Sequence, residues 1–543
     1  MESLRSRPAS PVNPVCWALQ AFCAVLSGNH QAQVPTPQEE PVPEHLEIES
    51  KHEAGPDFTL PDLSGLDGVA AVSEPVRESL RAVYYDTPDL RLAAGGITLR
   101  RRAGGHDAGW HLKLPAGPSA RREHHAPPGL GDAVPTELAG LVLARTRGLP
   151  LVPVAAIDTE RTARLLLDAT GAELAEVADD AVTGRADTST GTDDTIAWRE
   201  IEVELGGAGD GALLEAAGER LRAAGARDAA SPSKLARVLM GRIAPSPAEV
   251  ARREARGRPP TTAGDVLLAY LARLVDELLR RDPGARLADE EDVHDMRVAT
   301  RRLRSVLKTY RRLLDRTRVD PLRTELKWLA GALGDVRDLD VLRAHFDAET
   351  AAGADLAPEL VASGLAAEEA AARARLGAAL GTPRYFALLD ALDALHLDPP
   401  LTRAARRPAR PELRRTVARA WRRMERRHDA LRTARTDTDA DTARDVALHE
   451  LRKAAKLARY TAEAARDAGG KPARKAVKGA KRLQTVLGEH QDAVTARNRL
   501  RAAAPLDLED AFRLGVLYAR EDARAAEARR RFAKKWKKRP RLG

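Results

Sequence analysis

A chain of 543 residues is too long for one hydrophobic core, so its length predicts at least two domains, and a content of only 3% aromatic residues favours packed helices over a large β-rich fold. The net charge is +9, but residues 524–543 hold ten bases and one acid, and the rest of the chain carries as many acids as bases. Net charge alone therefore gives no evidence for a polyanion-binding function. Any such site must come from local clusters of basic side chains.

Residues 1–43 are predicted to form a leader outside the folded domains. An apolar run from Val15 to Leu26 follows two arginines and precedes Pro-rich sequence, a pattern consistent with a disordered leader, a signal peptide or a misplaced start. Both cysteines, Cys16 and Cys23, lie in this leader, so neither domain can contain a disulfide or a cysteine-bound metal. Any metal site must use oxygen or imidazole ligands. No other segment is long and apolar enough to span a membrane, and we expect a cytoplasmic protein.

Residues 44–243 are predicted to form an antiparallel β domain, because short alternating runs of polar and apolar residues are separated by turn signals. Successive side chains of a strand point to opposite faces, so two of these strands each carry an acidic face. The members of the two faces are Glu47, Glu49 and Lys51 in the first strand and Glu200, Glu202 and Glu204 in the second. The strands between them carry bases: Arg100, Arg102, Lys113 and Arg161.

A charged strand face allows two interpretations. By itself it indicates a surface strand whose charged side is solvated. Several strands that pair a charged face with an apolar face instead indicate a closed or nearly closed barrel with a charged interior and helices outside. Carboxylates in such an interior suit Mg²⁺ or Mn²⁺, and the bases can hold the phosphates that the metal bridges. Lys51 could orient the attacking water or bind a phosphate, and the sequence does not choose between these roles.

Residues 244–261 are predicted to be a linker, because prolines and a glycine stand among charged residues. Beyond them the hydrophobic period is that of helices, over residues 262–538, with a basic tail end at 539–543. Pro-rich sequence divides this region into halves, about residues 262–398 and 411–538. The predicted helices are 263–281, 289–315, 319–346, 355–379, 411–434, 442–467, 472–501 and 508–536.

The two halves repeat one pattern of charged residues. Offsets of 3, 4 and 3 separate the members of both sets, which are His294, Arg297, Arg301 and Arg304 in the first half and His449, Arg452, Lys456 and Arg459 in the second. Further on, Lys327 and Lys481 each stand seven residues before a glycine, Gly334 or Gly488, that an acidic residue follows. A duplicated helical unit explains these agreements better than chance does.

Offsets of three and four place these bases, together with Lys308 in the first half, in one stripe along a helix. A single stripe of this kind is usually a solvated outer face. Its recurrence favours an extended site for a flexible polyanion, because guanidinium groups bind phosphate oxygens in pairs and lysine supplies point charge. His294 and His449 can donate a hydrogen bond to phosphate or pack between helices. Neither stands at ligand spacing from a second His or Cys, which argues against a metal role.

The segment Glu47-Ile48-Glu49-Ser50-Lys51 resembles the Glu-x-Glu-x-Lys signature of the CYTH family, the triphosphate tunnel metalloenzymes. Residues 84–87, 96–102, 110–114, 200–205 and 233–235 support the resemblance, which extends over about residues 44–243. It implies an eight-stranded antiparallel tunnel that binds triphosphate compounds with Mg²⁺ or Mn²⁺. The implied metal ligands are Glu47, Glu49, Glu200, Glu202 and Glu204; the implied triphosphate-binding residues are Arg100, Arg102, Lys113, Arg161 and Lys234; the implied catalytic residues are Lys51 and Glu49.

The helical half resembles CHAD, a histidine-bearing α-helical domain often fused to CYTH, over about residues 262–538. The segments His294-Asp295-Met296-Arg297 and His449-Glu450-Leu451-Arg452-Lys453 carry this resemblance, with the two Leu-Gly-acid segments. It implies two four-helix bundles whose basic surface binds inorganic polyphosphate. The implied polyphosphate-binding residues are His294, Arg297, Arg301, Arg304, Lys308, Lys327, Arg337, His449, Arg452, Lys453, Lys456, Arg459 and Lys481.

The sequence thus predicts an α+β chain of two domains, an N-terminal antiparallel β tunnel with outer helices and C-terminal duplicated four-helix bundles. The predicted function is metal-dependent hydrolysis of a triphosphate compound, and inorganic tripolyphosphate is the expected substrate. The helical domain is predicted to bind inorganic polyphosphate. The alternative is a non-catalytic polyphosphate-binding protein whose tunnel only binds a phosphorylated ligand. Ala163 and Leu165 favour this alternative, because they follow Arg161 on one face where tunnel enzymes commonly carry further bases.

Inorganic polyphosphate and a triphosphate-containing small molecule are the expected partners, whereas a membrane is not. Nucleic acid is not expected as the main ligand. Phe532 and Trp536 stand at i and i+4, and we expect them to dock the last helix rather than to stack on bases. The oligomeric state does not follow from the sequence.

Overall fold

The computed structural model of the protein describes residues 44–542 apart from 118–119, 130, 187–194, 352–357, 434–439 and 504–506. The predictions for residues 1–43, including those for both cysteines, lie outside the described residues. Within the described ranges, no helix combines the length and the apolar character that crossing a membrane requires.

Eight antiparallel strands close into a barrel in the N-terminal domain. The strands are β1 (Glu44–Ala54), β3 (Val76–Asp86), β4 (Thr98–Ala103), β5 (Gly109–Pro115), β6 (Ala120–Ala126), β7 (Val152–Leu167), β8 (Glu173–Ala186) and β9 (Thr195–Leu205), with short β2 (Ala71–Val72) and β10 (Arg227–Asp228) added outside the ring. Their order is β1, β6, β5, β4, β3, β7, β8, β9, and β9 pairs with β1 to close the ring. The predicted antiparallel tunnel is confirmed.

Apolar side chains cover the outside of the barrel, and this leaves the charged faces of the strands inside. The helices of this domain are α1 (Arg91–Ala94), α2 (Thr136–Leu141), α3 (Leu143–Thr146), α4 (Gly211–Ala223) and α5 (Lys234–Val238). Helix α4 begins where the Asp210 side chain accepts from the backbone N–H of Ala212 and Leu213. It packs Leu213 and Leu221 into one core with Ile201 of β9. The predicted outer helices are therefore present.

The C-terminal domain is entirely helical in its described part. Its helices are α6 (Pro247–Gly257), α7 (Ala263–Arg286), α8 (Glu290–Thr309), α9 (Arg316–Ala351), α10 (Pro358–Leu380), α11 (Pro383–Leu397), α12 (Ala409–Thr433), α13 (Ala440–Ala464), α14 (Gly470–Ala502) and α15 (Leu508–Lys537), with a 3₁₀ turn at Arg403–Arg406. The eight predicted helices are confirmed, with ends shifted by a few residues. Two helices were not predicted: α6 forms inside the expected linker, and α11 gives the first half a fifth helix.

The two helical halves share one hydrophobic core. Met296 and Leu303 of α8 belong to the same buried cluster as Trp421 of α12 and Leu451 of α13. Tyr310, just after α8, donates its hydroxyl to the backbone oxygen of Thr461 at 2.8 Å. The duplicated units are consequently one packed body, in which α8 and α13 are neighbours. Phe532 and Trp536 are buried in the same core, so they dock the last helix as predicted.

Candidate functional site

The barrel encloses a cavity of about 420 Å³ with a strongly charged wall. Of the described residues, nine acids and seven bases line it. The acids are Glu47, Glu49, Glu78, Asp107, Glu123, Glu173, Glu176, Glu202 and Glu204, and the bases are Lys51, Arg100, Arg102, Lys113, Arg121, Arg161 and Lys234. Acids are in excess, so a triphosphate would meet a net negative wall unless divalent cations accompanied it.

Carboxylates from β1 and β9 meet at one side of this cavity. The two strands pair with Glu49 opposite Glu204. Glu47 is buried, and Lys113 Nζ donates to its Oε1 at 2.5 Å, whereas its Oε2 has no hydrogen-bond partner among the described residues. Burial, helped by the charges of Glu47 and Glu49, raises the pKa of Glu204 to about 7. Both features mark a place where a cation is stabilised, so these three carboxylates fit a divalent metal.

Lys51 is held as an ammonium group. Its Nζ lies 2.7 Å from Glu49 Oε2 and also contacts Glu202 Oε1. Burial disfavours the charged form, but the charges of these two carboxylates outweigh it and raise the pKa of Lys51 above its ordinary value. Lys51 can therefore act on phosphate or water as a cation, and not as a base.

A second group of carboxylates, Asp180, Glu200 and Glu202, has oxygen atoms within 4.8 Å of one another. Such a group could hold a cation, and here Lys234 supplies it. Lys234 Nζ lies 2.9 Å from Asp180, 2.7 Å from Glu200 and 2.8 Å from Glu202. Although burial opposes the charge, these carboxylates raise the pKa of Lys234 well above its ordinary value. The predicted metal role of Glu200 and Glu202 stays a prediction, and in this structure their partner is an ammonium group.

Arg161 is paired in the same way. Its Nε and Nη2 donate to the two carboxylate oxygens of Asp180 at 2.9 and 2.8 Å. Its Nη2 also donates to Glu202 Oε2 at 2.9 Å. Arg161 and Lys234 line the tunnel as predicted, but their charges are already compensated by protein groups.

Arg100, Arg102 and Lys113 lie on the neighbouring strands β4 and β5. Fewer carboxylates contact them than contact Arg161 and Lys234, so less of their positive charge is compensated by protein groups. Arg102 contacts Asp107, while Arg100 Nη1 lies 3.5 Å from the hydroxyl of Tyr84. The Nε atoms of both arginines are buried and have no hydrogen-bond partner among the described residues. Burial, followed by the charge of Arg100, lowers the pKa of Arg102 to about 9. Crowded guanidinium groups with unused donors are suited to phosphate oxygens.

Strand β6 contributes two tunnel residues that were not predicted. Glu123 accepts from His111 Nδ1 at 2.8 Å, and Arg121 donates to the backbone oxygen of Gly96 at 2.9 Å. The strand escaped prediction because its sequence, Ala-Arg-Arg-Glu-His-His-Ala, has no apolar alternation. Asp180 of β8 was not predicted either, although this strand runs from Glu173 to Ala186 beside Arg161 of β7. The spacing of Arg121 and Glu123 at i and i+2 is the signal that could have found β6.

In the helical domain, the two predicted basic stripes come together. Helix α8 carries the first stripe and α13 the second, and residues of both line two cavities of about 570 and 1020 Å³. The residues that line both cavities are Arg301, Arg304, Lys453, Lys456 and Tyr460. We call the joined cavities the helical groove. Packing thus turns two separate stripes into one continuous surface.

The sequence repeat has a local structural cause. A Cβ atom added at Gly334 would lie 3.8 Å from Arg297 Nη2, and one added at Gly488 would lie 3.7 Å from Arg452 Nη2. The glycine of each Leu-Gly-acid segment therefore lies beside the arginine of its own repeat. Arg297 Nη2 is 2.9 Å from Asp338 Oδ1, and the equivalent pair in the second repeat is 3.8 Å apart.

Positive charge accumulates in the helical groove. Burial and neighbouring bases lower the pKa of the groove groups His294, Arg301, Lys308 and Arg452. The effect is largest at Lys456, whose pKa falls to about 6 because the side chain is buried beside Arg301 and Arg452. A bound anion would relieve this repulsion, which fits the predicted polyanion site.

All but one of the predicted polyphosphate-binding residues line the helical groove. The exception is Lys481, which is exposed and lines neither cavity. Its counterpart in the first repeat, Lys327, does line the groove. Arg423 and Arg427 of α12 extend the basic surface and were not predicted. Their only sequence signal is the high arginine content of that helix.

Comparisons with known proteins agree with this division of the chain. A family model described as CYTH domain matches residues 45–239, and one described as CHAD domain matches residues 269–501. The uncharacterized protein MT2285 of Mycobacterium tuberculosis is 39% identical over 511 residues, which cover 89% of this chain and 94% of that protein.

Two solved structures are also similar. PptA from Streptomyces chartreusis is 24% identical, with a TM-score of 0.43, and the match covers 51% of this chain and 100% of that one. The CHAD domain from the plant Ricinus communis is 25% identical, with a TM-score of 0.39, and the match covers 49% of this chain and 88% of that one.

Proposed function

We propose a function from the premise that this chain belongs to the proteins that join a CYTH domain to a CHAD domain. Its tunnel hydrolyses a triphosphate compound with a divalent metal, Mg²⁺ or Mn²⁺, and its helical groove binds inorganic polyphosphate. Inorganic tripolyphosphate is the proposed substrate. A cytoplasmic location stays a prediction.

The observation that carries the catalytic half is the pairing of two unlike clusters in one cavity. Glu47 has a buried carboxylate oxygen without a partner among the described residues, and the pKa of Glu204 is raised, so a cation beside these two and Glu49 would be stabilised. Arg100 and Arg102 supply unused guanidinium donors for phosphate oxygens on other strands of the same wall. A triphosphate with a divalent cation satisfies both clusters at once, whereas either ion alone leaves one cluster uncompensated.

The lining also supports an inorganic substrate over a nucleotide. Tyr84 is the one Phe, Tyr or Trp side chain among the described residues that line the cavity. A nucleobase would therefore find little surface on which to stack. Phosphate groups, in contrast, meet charged side chains along the whole wall.

Catalysis in this site rests on positioning and electrostatics. When bound, the metal neutralises phosphate charge and lowers the pKa of a water molecule, and Glu47, Glu49 and Glu204 would hold it. Arg100, Arg102 and Lys113 hold the phosphate chain. The oxygen of a water molecule attacks the terminal phosphorus, and the bond from that phosphorus to the bridging oxygen breaks. Pyrophosphate and orthophosphate are the products, and one proton of the water passes to solvent. The ammonium group of Lys51 stabilises the negative charge at the terminal phosphate.

Release of orthophosphate from tripolyphosphate, with and without Mg²⁺, tests the catalytic half. We expect metal-dependent release by the wild type and a rate lower by about a hundredfold or more in Glu49→Ala, because a carboxylate of the proposed cation site is lost. Glu74→Ala removes an exposed carboxylate outside the tunnel and is the matched control. If no orthophosphate is released in a metal-dependent way from tripolyphosphate, thiamine triphosphate or nucleoside triphosphates, the proposal that the tunnel is catalytic is wrong.

The competing function is a tunnel that binds a phosphorylated ligand without turnover. The compensated charges of Arg161 and Lys234 favour it, since both bases already face carboxylates that an incoming phosphate would have to displace. Calorimetry of tripolyphosphate binding separates the two functions. Tight Mg²⁺-dependent binding without phosphate release would establish the non-catalytic alternative.

A further inference from the structure

Ion pairing stops at one end of the helix pair α14 and α15. Every base of α15 before residue 532 has an acidic partner. Residues 470–488, the first half of α14, and residues 532–542, which include the end of α15, contain twelve bases and no Asp or Glu. Of these bases only Arg539 has an acidic partner among the described residues, with its Nε 3.3 Å from Glu425 Oε1. The other eleven carry positive charge that no carboxylate compensates.

The eleven unpaired bases lie on one surface. Arg531 of α15 pairs with Glu489 of α14, and a Cβ atom added at Gly479 would lie 2.6 Å from Pro540 Cδ. The chain after Arg531 therefore runs back along the first half of α14. We call this surface the outer basic face. Its members are Lys471, Arg474, Lys475, Lys478, Lys481, Arg482, Lys534, Lys535, Lys537, Lys538 and Arg541, and all are exposed except Lys535, which is half-buried.

The outer basic face is separate from both sites described above. None of its residues lines the tunnel or the helical groove. Ala476 and Ala480, which stand between its bases on α14, are buried in the core, so the bases point outward. Like charges repel, so these bases cost folding free energy that a bound polyanion would offset.

The composition and length of the outer basic face suit a phosphate backbone. Eight of the eleven residues are lysines, which supply point charge without the fixed donor geometry that recognises base edges. Lys471 and Arg482 are separated by about 16 Å along the helix axis, at about 1.5 Å per residue. A nucleic acid duplex carries about one phosphate per 1.7 Å of its axis, so about ten phosphates lie along that length and about half of them face one side.

Other polyanions fit the outer basic face less well. Proteins that bind single strands stack the bases on aromatic side chains, but Phe532 and Trp536, the aromatic residues of these two segments, are buried. Helices that lie on membranes insert apolar side chains, and no large apolar side chain of these fully described segments is exposed. Inorganic polyphosphate finds buried guanidinium donors in the helical groove, which exposed lysines do not offer.

We propose that the outer basic face binds the phosphate backbone of double-stranded nucleic acid, whatever its base sequence. The proposal does not depend on catalysis in the tunnel. It adds a second polyanion surface to the helical domain, on the outside of α14 and α15.

Fluorescence anisotropy of a labelled DNA duplex of about 20 base pairs, titrated with the full-length protein, measures this binding. We expect a slope of about −4 in a plot of log affinity against log salt concentration, because about four or five phosphates are neutralised and their counterions are released. Two duplexes of unrelated sequence should bind with affinities within about twofold of each other.

Lys475→Glu with Lys478→Glu should weaken duplex binding by about tenfold or more and make the salt slope shallower by about two. Arg77→Glu with Arg185→Glu, which changes the same net charge at exposed positions of the tunnel domain, should bind the duplex like the wild type. The groove variant Arg297→Glu with Arg452→Glu should also keep duplex affinity within about threefold of the wild type. If Lys475→Glu with Lys478→Glu does not fold, Lys537→Glu with Lys538→Glu repeats the measurement on α15.

Three results overturn the proposal. The first is an equal loss in the Lys475 and Arg77 double variants, which would mean diffuse attraction to net charge. The second is a larger loss in the groove variant than in the Lys475 double variant, which would place the duplex in the helical groove. The third is binding of vesicles that contain phosphatidylserine without binding of the duplex, which would assign the outer basic face to an anionic membrane.

Discussion

Among single residues, burial and existing partners decide which charged side chains can take a ligand. Lys234 is surrounded by three carboxylates within 2.9 Å, so an incoming phosphate would have to displace them. Arg100 and Arg102 keep buried Nε donors without partners, and a phosphate would restore the hydrogen bonds that burial removed. Lys234 lies on α5 and the two arginines lie on β4, and only the arginines are ready for an anion.

Lys456 leads to a prediction of proton uptake when polyphosphate binds. Burial and the charges of Arg301, Arg452 and Arg297 lower its pKa to about 6, and Asp492 is the acid that opposes this shift. At pH 8 the side chain is therefore mostly neutral in the free protein. Bound phosphate oxygens would favour the charged form, so binding at pH 8 should take up to about one proton. Below about pH 6 the group is already charged and the uptake should vanish.

Calorimetry in buffers with different heats of ionisation measures this uptake. Lys456→Met should abolish it, and Lys471→Met, which removes an exposed lysine outside the helical groove, should preserve it. The same shift affects stability. Between about pH 6 and 10.5 the unfolded chain binds a proton at Lys456 that the folded chain does not, so the free energy of unfolding decreases as the pH falls through this range. An unchanged uptake in Lys456→Met would contradict the assignment.

Between elements, register and neighbouring helices decide which residues act together. The β1–β9 register sets Glu49 opposite Glu204, and a slip of one residue would turn one of these carboxylates out of the tunnel. Helices α8 and α13 play the same part in the helical domain, since their contact joins two cavities into one groove. Both candidate sites depend on pairs of elements that are distant in sequence.

Charge reversal on both stripe helices should weaken polyphosphate binding. Arg297 and Arg452 line the groove, and each has a buried Nε without a hydrogen-bond partner among the described residues. A hydrogen bond to a charged group contributes about 1.5–3 kcal/mol, so Arg297→Glu with Arg452→Glu should weaken binding by about a hundredfold or more. Fluorescence anisotropy with labelled long-chain polyphosphate measures the affinity.

Reversal of two lysines on the last helix is the control for this prediction. Lys534→Glu with Lys535→Glu changes the same net charge at positions that do not line the groove. We expect less than about a threefold loss, because charges outside the groove act weakly on it through solvent. Equal losses in the two double variants would indicate diffuse electrostatic attraction instead of a groove site.

Across the whole molecule, ion pairs join the tunnel domain to the helical domain. Arg147, after α3, donates to Asp390 at 3.1 Å and to Asp393 at 3.2 Å, both on α11. Arg252 of α6 also contacts Asp393 and lies 2.8 Å from Asp276 of α7. Because α6 and α11 were not predicted, neither was this interface. The expected linker is therefore part of the packed structure.

Removal of the Arg147 side chain should destabilise the protein. Its guanidinium is mostly buried and bonds two carboxylates, so Arg147→Ala should lower the free energy of unfolding by about 2 kcal/mol. Thermal and urea unfolding of the full chain measure the change. Arg403→Ala removes an exposed arginine and should leave both curves unaltered. Unfolding of Arg147→Ala at the wild-type midpoint would show that the pairs contribute nothing.

Local pattern was enough to predict much of the fold. Alternation predicted the acidic strands β1 and β9, and helical periodicity predicted eight helices, because each of these elements buries one apolar face that its own sequence displays. Strand β6 and helix α11 lack a clear pattern of this kind. The sequence of β6 is polar throughout, and that of α11 is apolar on most sides. Only their surroundings therefore determine which structure they form.

The sequence by itself determined the two-domain organisation, the acidic and basic faces and the duplicated stripes, since these depend on the spacing of residues along one element. Tertiary structure alone decided that Lys234 would occupy the carboxylates of Asp180, Glu200 and Glu202, and that Lys481 would lie outside the groove. The physical reason is that charge compensation and strand closure depend on neighbours brought together by folding, and no local spacing encodes them.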